Sequence, residues 1–405
     1  MEKLLCKIRC AICMTRCMSE VRRAIAQMAI RKRKKERKSK DDQITVYQHY
    51  VPCELLKAWS CDGVDKGRKT TVITRIGRST IAQRKVNAIC AENNAYGYKP
   101  LSAQEFKVLH GEIMFVLPRL QDEYANSIVL LSFGVSAMDM ISKRQFDAFR
   151  NFWDSVRTLL PLGDRVKKEL TQAISANHWE DSDAIIKTVK ILTKQGAEMF
   201  HTNVENQFRT LLKCLRRGCV HCINSQESFR RVFLFMIDQL MRTNASATKI
   251  KMVMDEEFGM KENIWSYLGP YLATTVAAKC ALDWNQFHIS VIKAVGNAQY
   301  IISDNPVIDF ASDYSADPFA LFMPISPDIA IFVGRLKYAP IVRAMRRHGE
   351  SWTRCANKIL ASQARIFVIS NCEETILSGG YYAGMETINS EEEFLRNLQA
   401  DVGDT

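Results

Sequence analysis

The stretch Arg365-Ile-Phe-Val-Ile-Ser370, near the carboxyl end of the chain, is rich in β-branched and aromatic residues and therefore predicts a β-strand. A comparable stretch, Lys69-Thr-Thr-Val-Ile-Thr-Arg75, lies near the amino end. Residues 101–282 between them carry apolar side chains mostly at three- and four-residue spacings, which indicates helices. The sequence thus predicts an α+β fold, in which N- and C-terminal segments form one mixed sheet and a large central helical insertion lies between them.

This pattern divides the 405 residues into four parts. We expect an α+β core from 43–100 and 283–385, with 101–282 as the helical insertion. Residues 1–42 are expected to form a basic N-terminal helix or arm, and 386–405 an acidic C-terminal tail. Within the insertion, helices are predicted over 103–122, 143–159, 164–175, 182–215, 225–242 and 263–281.

The segment after the insertion predicts further strands. Residues 287–295 and 299–302 flank Gly296-Asn297, a pair typical of hairpin turns, so we expect these two strands to pair with each other. Residues 321–323 and 330–333 are apolar and β-branched, which also favours strands. The core therefore takes most of its predicted strands from the C-terminal half of the chain.

Positive charge is concentrated at the amino end. Residues 1–40 hold fourteen Lys or Arg and three acidic residues, a net charge of +11 within the +12 of the whole chain. Such a run stays solvated unless it meets phosphates, so nucleic acid or an anionic membrane surface is the expected partner, with a solvated linker as the alternative. The candidate nucleic-acid contacts are Arg31, Lys32, Arg33, Lys34, Lys35, Arg37 and Lys38.

Four cysteines in the same segment share one helix face, because they follow one another at spacings of four, three and four residues. Along a straight helix they span about 16 Å, which is too far for one metal ion. An apolar stripe or a self-association seam is the expected role, and acylation is a further option. The four residues are Cys6, Cys10, Cys13 and Cys17.

A second group of cysteines has the spacing Cys214-x4-Cys219-Val-His221-Cys222. Its C-x-H-C end is compact enough for metal binding, but a zinc site usually adds a second pair of ligands from another segment. No such partner pair stands out in the sequence. Ordinary packing at a helix end is therefore the alternative to a metal site here.

Composition and missing motifs exclude several classes of protein. The chain is 47% hydrophobic and 25% charged, as in ordinary globular proteins, and no apolar run approaches the roughly 18 residues of a membrane span. The charged amino end lacks the apolar core of a secretory signal, so we expect a cytoplasmic protein. A phosphate-binding Walker loop, G-x-G-x-x-G, H-E-x-x-H and G-x-S-x-G are all missing, which disfavours nucleotide motors, nicotinamide enzymes, zincins and α/β-hydrolases.

Two candidate catalytic residues lie where apolar runs meet a proline. His49, in Gln48-His-Tyr-Val-Pro52, could shuttle protons near neutral pH, or could bond backbone groups where the chain enters the core. Asp304, in Ile302-Ser-Asp-Asn-Pro-Val307, follows an apolar strand, and strand ends often carry catalytic carboxylates. Local turn chemistry before the proline is the alternative for Asp304.

Two further candidates lie on predicted helices. Arg242, at the end of Gln239-Leu-Met-Arg-Thr243, could pair with a phosphate, with Asp304, or in a structural ion pair. The amide of Asn357, on a helix after Trp352, could orient a ligand or cap buried backbone. Spacing alone leaves these alternatives open.

Several of these segments, in this order, resemble the domain-of-unknown-function 4238 family of bacterial and phage-associated proteins. The resemblance covers about residues 43–375, and the QHYVP and SDNPV elements are its most specific parts. The family often carries an aromatic pair soon after QHYVP, where this chain has Cys53-Glu-Leu-Leu56. The matching pieces are QHYVP at 48–52, ENNAYGY at 92–98, QLMRT at 239–243, ISDNPV at 302–307, PISP at 324–327 and NKILASQARIFVIS at 357–370.

The resemblance implies organisation more than mechanism. Members are suspected of roles in phage defence or of toxin-like activity. It implies that His49, Asp304, Arg242 and Asn357 meet in one place. A sheet built from both ends of the chain points the same way, because it brings 48–52 near 302–307.

Three functions are compatible with these features. The first is a nuclease-like effector: His49 is its general acid or base, Asp304 a second acid or base or a ligand of a divalent metal ion, and Arg242 stabilises phosphoryl charge. The second is a non-catalytic binding or assembly module that oligomerises or docks a partner through the 1–40 helix. The third places that helix on anionic lipid.

Overall fold

The coordinates are a computed structural model. The basic arm with its cysteine stripe, the acidic tail and residues 94–98 of the ENNAYGY segment lie outside the described residues. The structure describes residues 47–61, 70–75, 81–93, 105, 108–109, 122–158, 160, 162, 164–175, 182–243, 265–310 and 319–385.

Helices and strands alternate irregularly along this part of the chain. In chain order they are β1 (Tyr47–His49), α1 (Cys53–Leu56), β2 (Thr70–Arg75), β3 (Ala82–Lys85), β4 (Ala91–Asn93), α2 (Asp122–Ser142), α3 (Phe146–Val156), α4 (Asp164–Ser175), α5 (Ser182–Leu215), α6 (Gln226–Arg242), α7 (Trp265–Leu282), β5 (Phe287–Lys293), β6 (Ile302–Ser303), β7 (Ile308–Asp309), β8 (Ala320–Ser326), β9 (Ile329–Arg335), α8 (Ala339–Ser362), β10 (Phe367–Ser370) and α9 (Glu373–Gly379). The predicted α+β class is confirmed.

The chain divides into two units. The first contains the described residues within 96–203 and 253–275, and the second contains those within 47–95, 204–252 and 276–405. The segment 101–282, predicted as one insertion, is thus shared between them, and α6 belongs with the strands. All candidate site residues lie in the second unit.

The first unit is helical in the part that the structure describes. The apolar run of α2, from Ile128 to Val135, is buried. A Cβ atom at Gly196 of α5 would lie 2.6 Å from the backbone nitrogen of Leu131, so glycine permits this close approach of α5 to α2. Ser132 and Tyr271 share a buried hydrogen bond of 2.8 Å between their hydroxyl oxygens.

The second unit contains the sheet that both ends of the chain were predicted to form. Its strand order is β3-β2-β10-β6, so β10 lies between a strand from the N-terminal segment and one from the C-terminal segment. Val368 pairs with Thr74 on one side and with Ser303 on the other. Every pairing is antiparallel, so the sheet is not a mixed parallel and antiparallel one.

A second four-stranded antiparallel sheet, of order β5-β9-β8-β7, comes wholly from residues 287–335. The predicted hairpin at Gly296-Asn297 is wrong, because β5 pairs with β9 and β6 pairs with β10. Gly296 does turn the chain there, with φ +71°. The two flanking strands then diverge into different sheets.

The core of the second unit lies between the β5–β9 sheet and α8. Trp352 is fully buried, and the rings of Phe310 and Phe322 lie 5.6 and 5.4 Å from it. Tyr300 contacts Phe322 at 5.7 Å. This packing holds the segment 299–307, which carries Asp304, against α8.

Candidate functional site

His49 ends the short strand β1, which pairs with β4 next to it. His49 lies opposite Ala91, and the amide of Tyr50 donates to the carbonyl of Cys90 at 2.9 Å. The imidazole is partly buried and forms a hydrogen bond with the backbone of Asn87. Such a bond from one ring N–H to a carbonyl fixes the tautomer, so the other ring nitrogen is the basic one.

Burial lowers the pKa of His49, and the charge of Arg242 lowers it further. The Asn87 backbone and the carboxylate of Glu205 act in the opposite direction. The net shift is downward, so the imidazole is neutral at pH 7. A neutral imidazole can accept a proton, but Nε2 of His49 is buried in this structure, so a substrate hydroxyl reaches it only if the surrounding side chains move.

Arg242, in the last turn of α6, lies at the centre of a cluster of charges. Its side chain is 4% exposed, and its Nη1 lies 2.7 Å from the carboxylate of Glu205 and 3.7 Å from that of Asp238. Its Nη2 donates to the backbone carbonyl of His49. Arg242 therefore pairs with Glu205 and Asp238 and not with Asp304, one of the partners considered from the sequence.

Glu205 is a further candidate site residue, which sequence analysis missed. It lies on α5, in the helix predicted over 182–215, but in no motif. Its side chain is 28% exposed while that of Arg242 is nearly buried, so the carboxylate lies at the solvent side of the pair. Only the packing of α5 against α6 reveals it, because the two partners are 37 residues apart in sequence.

The end of α6 also contacts the turn that carries Asp304. The hydroxyl of Thr243 donates to Oδ1 of Asn305 at 3.1 Å. The end of one helix thus connects the QHYVP segment, through Arg242, with the SDNPV segment, through Thr243. The structure thus brings His49 and Arg242 into direct contact. Asp304 is not in this contact, but its neighbour Asn305 binds Thr243, the neighbour of Arg242.

Asp304 is buried, and its carboxylate accepts two backbone hydrogen bonds. The amides of Arg365 and Ile366 donate to its two oxygens at 2.9 and 2.7 Å. Burial raises the pKa of Asp304 to about 6, although these backbone N–H groups favour the charged form. The carboxyl group therefore fixes the start of β10 against the turn after β6.

A buried thiol lies near the same carboxylate. Burial and the charges of Asp304 and Cys53 raise the pKa of Cys90 well above its usual value. Burial and the carboxylate of Glu205 likewise raise the pKa of Cys53 to about 11. These raised pKa values disfavour the thiolate of both residues at neutral pH, and the thiolate is the nucleophilic form of cysteine.

Asn357 lies on α8 and holds the segment before β6. Its Oδ1 accepts from the amide of Ile301 at 3.0 Å, and its Nδ2 donates to the carbonyl of Gln299 at 2.8 Å. The residue is 1% exposed. Within the described residues neither Asn357 nor Asp304 makes a side-chain hydrogen bond to another of the four candidates, so only His49 and Arg242 are in direct contact.

Gln239, in the same QLMRT segment as Arg242, has an unusual environment. It is fully buried, yet neither atom of its amide has a hydrogen-bond partner among the described residues. Buried amides without partners are uncommon because their desolvation is not compensated. The amide therefore marks a position where a polar partner would be favourable.

Within the described residues, no group of three or more His, Cys, Asp or Glu side chains could hold a metal ion. This includes Cys214, Cys219, His221 and Cys222, all of which are described. The thiols of Cys214 and Cys222 both donate to the carbonyl of Cys219, at 3.6 Å each. The group therefore forms a hydrogen-bonded turn after α5.

Comparison with known families assigns part of the chain. Residues 224–374 match the model of a family described as "Protein of unknown function (DUF4238)". The resemblance to this family is confirmed over these residues, which are less than half of the chain. The match contains Arg242, Asp304 and Asn357 but not His49. No curated protein and no solved structure matches the chain.

No described helix is both long enough and apolar enough to cross a membrane. The longest of them, α5, has 34 residues but is amphipathic, with charged residues along its length. The finding agrees with the sequence, in which no apolar run has the length of a span.

Proposed function

We propose that this protein is a nuclease-like effector that cleaves the backbone of nucleic acid at a site formed by His49, Glu205 and Arg242. The observation that supports this best is the contact of one guanidinium with both the His49 carbonyl and the Glu205 carboxylate. It gathers a base, a carboxylate and a cation from three distant segments. These are the groups that phosphodiester cleavage uses for proton transfer and for charge stabilisation.

In this proposal the substrate is RNA, and its 2′-hydroxyl is the nucleophile. The neutral imidazole of His49 removes the hydroxyl proton, the 2′-oxygen bonds to the adjacent phosphorus, and the bond to the 5′-oxygen breaks. The leaving oxygen takes a proton from water, and the imidazolium returns its proton to the resulting hydroxide. The products are a 5′-hydroxyl and a 2′,3′-cyclic phosphate.

Arg242 and Glu205 have different roles in this scheme. The guanidinium provides positive charge beside the phosphate as negative charge grows on its oxygens. Glu205 holds that guanidinium in place and favours the imidazolium that forms when His49 accepts a proton. The scheme places no step on a metal ion.

Asp304 and Asn357 act as positioning residues in this proposal. Both bind backbone groups around β6: Asp304 through Arg365 and Ile366, and Asn357 through Gln299 and Ile301. The turn that they fix meets Thr243, the neighbour of Arg242. They would thus hold the C-terminal end of α6 in position beside His49.

The basic arm would supply nonspecific affinity for nucleic acid through its Lys and Arg side chains. A role in phage defence or as a toxin, which the family resemblance suggests, is part of the same proposal. So is a cytoplasmic location, which the charged amino end indicates. An effector of this kind needs substrate affinity without sequence specificity, which phosphate contacts provide.

The test is incubation of the full chain with end-labelled RNA and DNA, each with EDTA, Mg²⁺ or Mn²⁺. We expect cleavage of RNA in all three conditions and a loss of at least about a hundredfold in rate for His49→Ala. His221→Ala is the matched control, because His221 is exposed and lies in the turn after α5. RNA left intact by the wild type, or equal rates for His49→Ala and His221→Ala, would contradict the proposal.

A non-catalytic binding or assembly module is the second candidate. It is favoured by the internal partners of Asp304 and Asn357, which are satisfied by backbone groups. In that case the 1–40 helix would oligomerise or dock a partner. Deletion of 1–40 should then change the number of subunits measured by light scattering, and an unchanged number of subunits would dispose of the assembly form of this candidate.

A further inference from the structure

A second polar cluster lies away from His49, between strand β5 and helix α8. The hydroxyl of Ser290 lies 2.6 Å from Nε2 of His288, on the same face of the strand. Nη2 of Arg346 donates to the same hydroxyl at 3.3 Å and to the carbonyl of Val291 at 3.4 Å. Arg343 lies one turn before Arg346 on α8 and is exposed.

The hydrogen bonds within this cluster determine which of its groups can donate to a ligand. Ser290 accepts from Arg346, so its own proton is available to Nε2 of His288. A neutral His288 that accepts at Nε2 carries its proton on Nδ1, which makes Nδ1 a donor. The cluster therefore offers one imidazole N–H and two guanidinium groups.

Burial lowers the pKa of His288, and the charges of Arg346 and Arg343 lower it further. No carboxylate among the described residues acts against them. Among the described residues, neither arginine forms an ion pair with an acidic side chain. Arg354, on the same helix, differs because its Nη2 lies 2.7 Å from the carboxylate of Glu350.

We propose that His288, Arg343 and Arg346 form a binding site for phosphate groups of a nucleic-acid backbone. The planar guanidinium presents its N–H groups in a fork that matches phosphate oxygens, and a phosphate offsets the uncompensated positive charge. Ser290 orients both His288 and Arg346. This inference rests on the proposed function, because it supplies an additional contact for the same substrate.

The test compares the wild type with the Arg343→Ala/Arg346→Ala double variant and with Arg354→Ala. Binding of fluorescent single-stranded RNA is measured by anisotropy over a range of salt concentrations. For the double variant we expect affinity about tenfold lower, and a slope of log K against log salt smaller by about 1.4, at ~0.7 per phosphate contact. Arg354→Ala removes one positive charge from the same helix, so a loss per removed charge that is equal in both variants would overturn the inference.

A second measurement does not depend on cleavage. The ring signals of His288 in the wild type are followed by NMR during titration with inorganic phosphate. We expect them to shift and to lose that shift in the double variant, whose arginines are exposed and whose fold should persist. His288 signals that phosphate does not move would overturn the inference, as would binding of anionic vesicles without binding of RNA.

The two proposals fail separately. Unchanged RNA affinity in the double variant, together with RNA cleavage by the wild type, would sink the phosphate site alone. RNA affinity that depends on Arg343 and Arg346, without any cleavage, would sink the nuclease alone.

Discussion

The guanidinium of Arg242 donates to the backbone carbonyl of His49, although the two residues are 193 positions apart in the chain. This contact joins the end of α6 to the end of β1. Since the same guanidinium pairs with Glu205, one side chain fixes three segments around the imidazole. The relationship makes the stability of the fold and the geometry of the candidate site depend on the same residue.

Replacing Arg242 with alanine should lower the free energy of unfolding by about 3 kcal/mol, because it leaves the carboxylates of Glu205 and Asp238 without their cation. Urea denaturation at pH 7 measures this. Arg354→Ala is the control, since its exposed pair with Glu350 should contribute less than about 1 kcal/mol. Similar losses in the two variants would show that Arg242 does not organise the site.

Asp304 should make the free energy of unfolding depend on pH in the opposite sense to a carboxylate whose pKa is lowered by folding. Its pKa is raised from 3.8 to about 6 in the folded state, so the folded state binds the proton more tightly than the unfolded state. Its contribution is fully present below about pH 4 and is lost as the pH rises through 6. Asp304→Asn should therefore lower the free energy of unfolding by more at pH 4.5 than at pH 7.5. Urea denaturation at both pH values measures this, and a larger loss at pH 7.5 would contradict the prediction.

If His49 is the general base, the rate of RNA cleavage should fall on the acid side with a midpoint below pH 6.5. Burial lowers the pKa of His49 from 6.5, so the imidazole stays neutral to lower pH than a free histidine does. A profile of single-turnover rate constants from pH 4.5 to 8 measures the midpoint. An acid limb centred above pH 6.5 would assign the base to another group.

Gln239→Leu should leave the stability unchanged or raise it, because neither amide atom has a hydrogen-bond partner in the described part of the chain. Gln363→Leu is the matched control. Its Nε2 donates to the carbonyls of Asn305 and Val307 at 2.9 and 3.0 Å, so that change should cost about 1–3 kcal/mol. Thermal melts compare the two, and an equal loss would mean that Gln239 has a polar partner in the folded protein.

Much of the fold was predictable wherever one pattern dominates. The helices α4 and α5 begin and end where the sequence predicts, since both are amphipathic. Strands β2 and β10 match their β-branched stretches to within two residues. Helix α2, in contrast, was not predicted over its observed length, because the run from Ile128 to Val135 is buried almost throughout and lacks helical periodicity.

Partner choice over long distances was not predictable. The turn at Gly296 is real, but a local signal cannot specify that β5 pairs with β9. The candidate site was predictable only in part for the same reason. His49 and Arg242 lie in recognisable motifs, while Glu205 lies in no motif. Only the packing of α5 and α6 brings its carboxylate to Arg242.

The measurement that tests the central claim most directly is mass spectrometry of the RNA ends left by the wild type. General-base activation of a 2′-hydroxyl by His49 predicts fragments that end in a 2′,3′-cyclic phosphate and begin with a 5′-hydroxyl, and it predicts their loss in His49→Ala. Fragments with a 3′-hydroxyl and a 5′-phosphate, or intact RNA, would contradict the account.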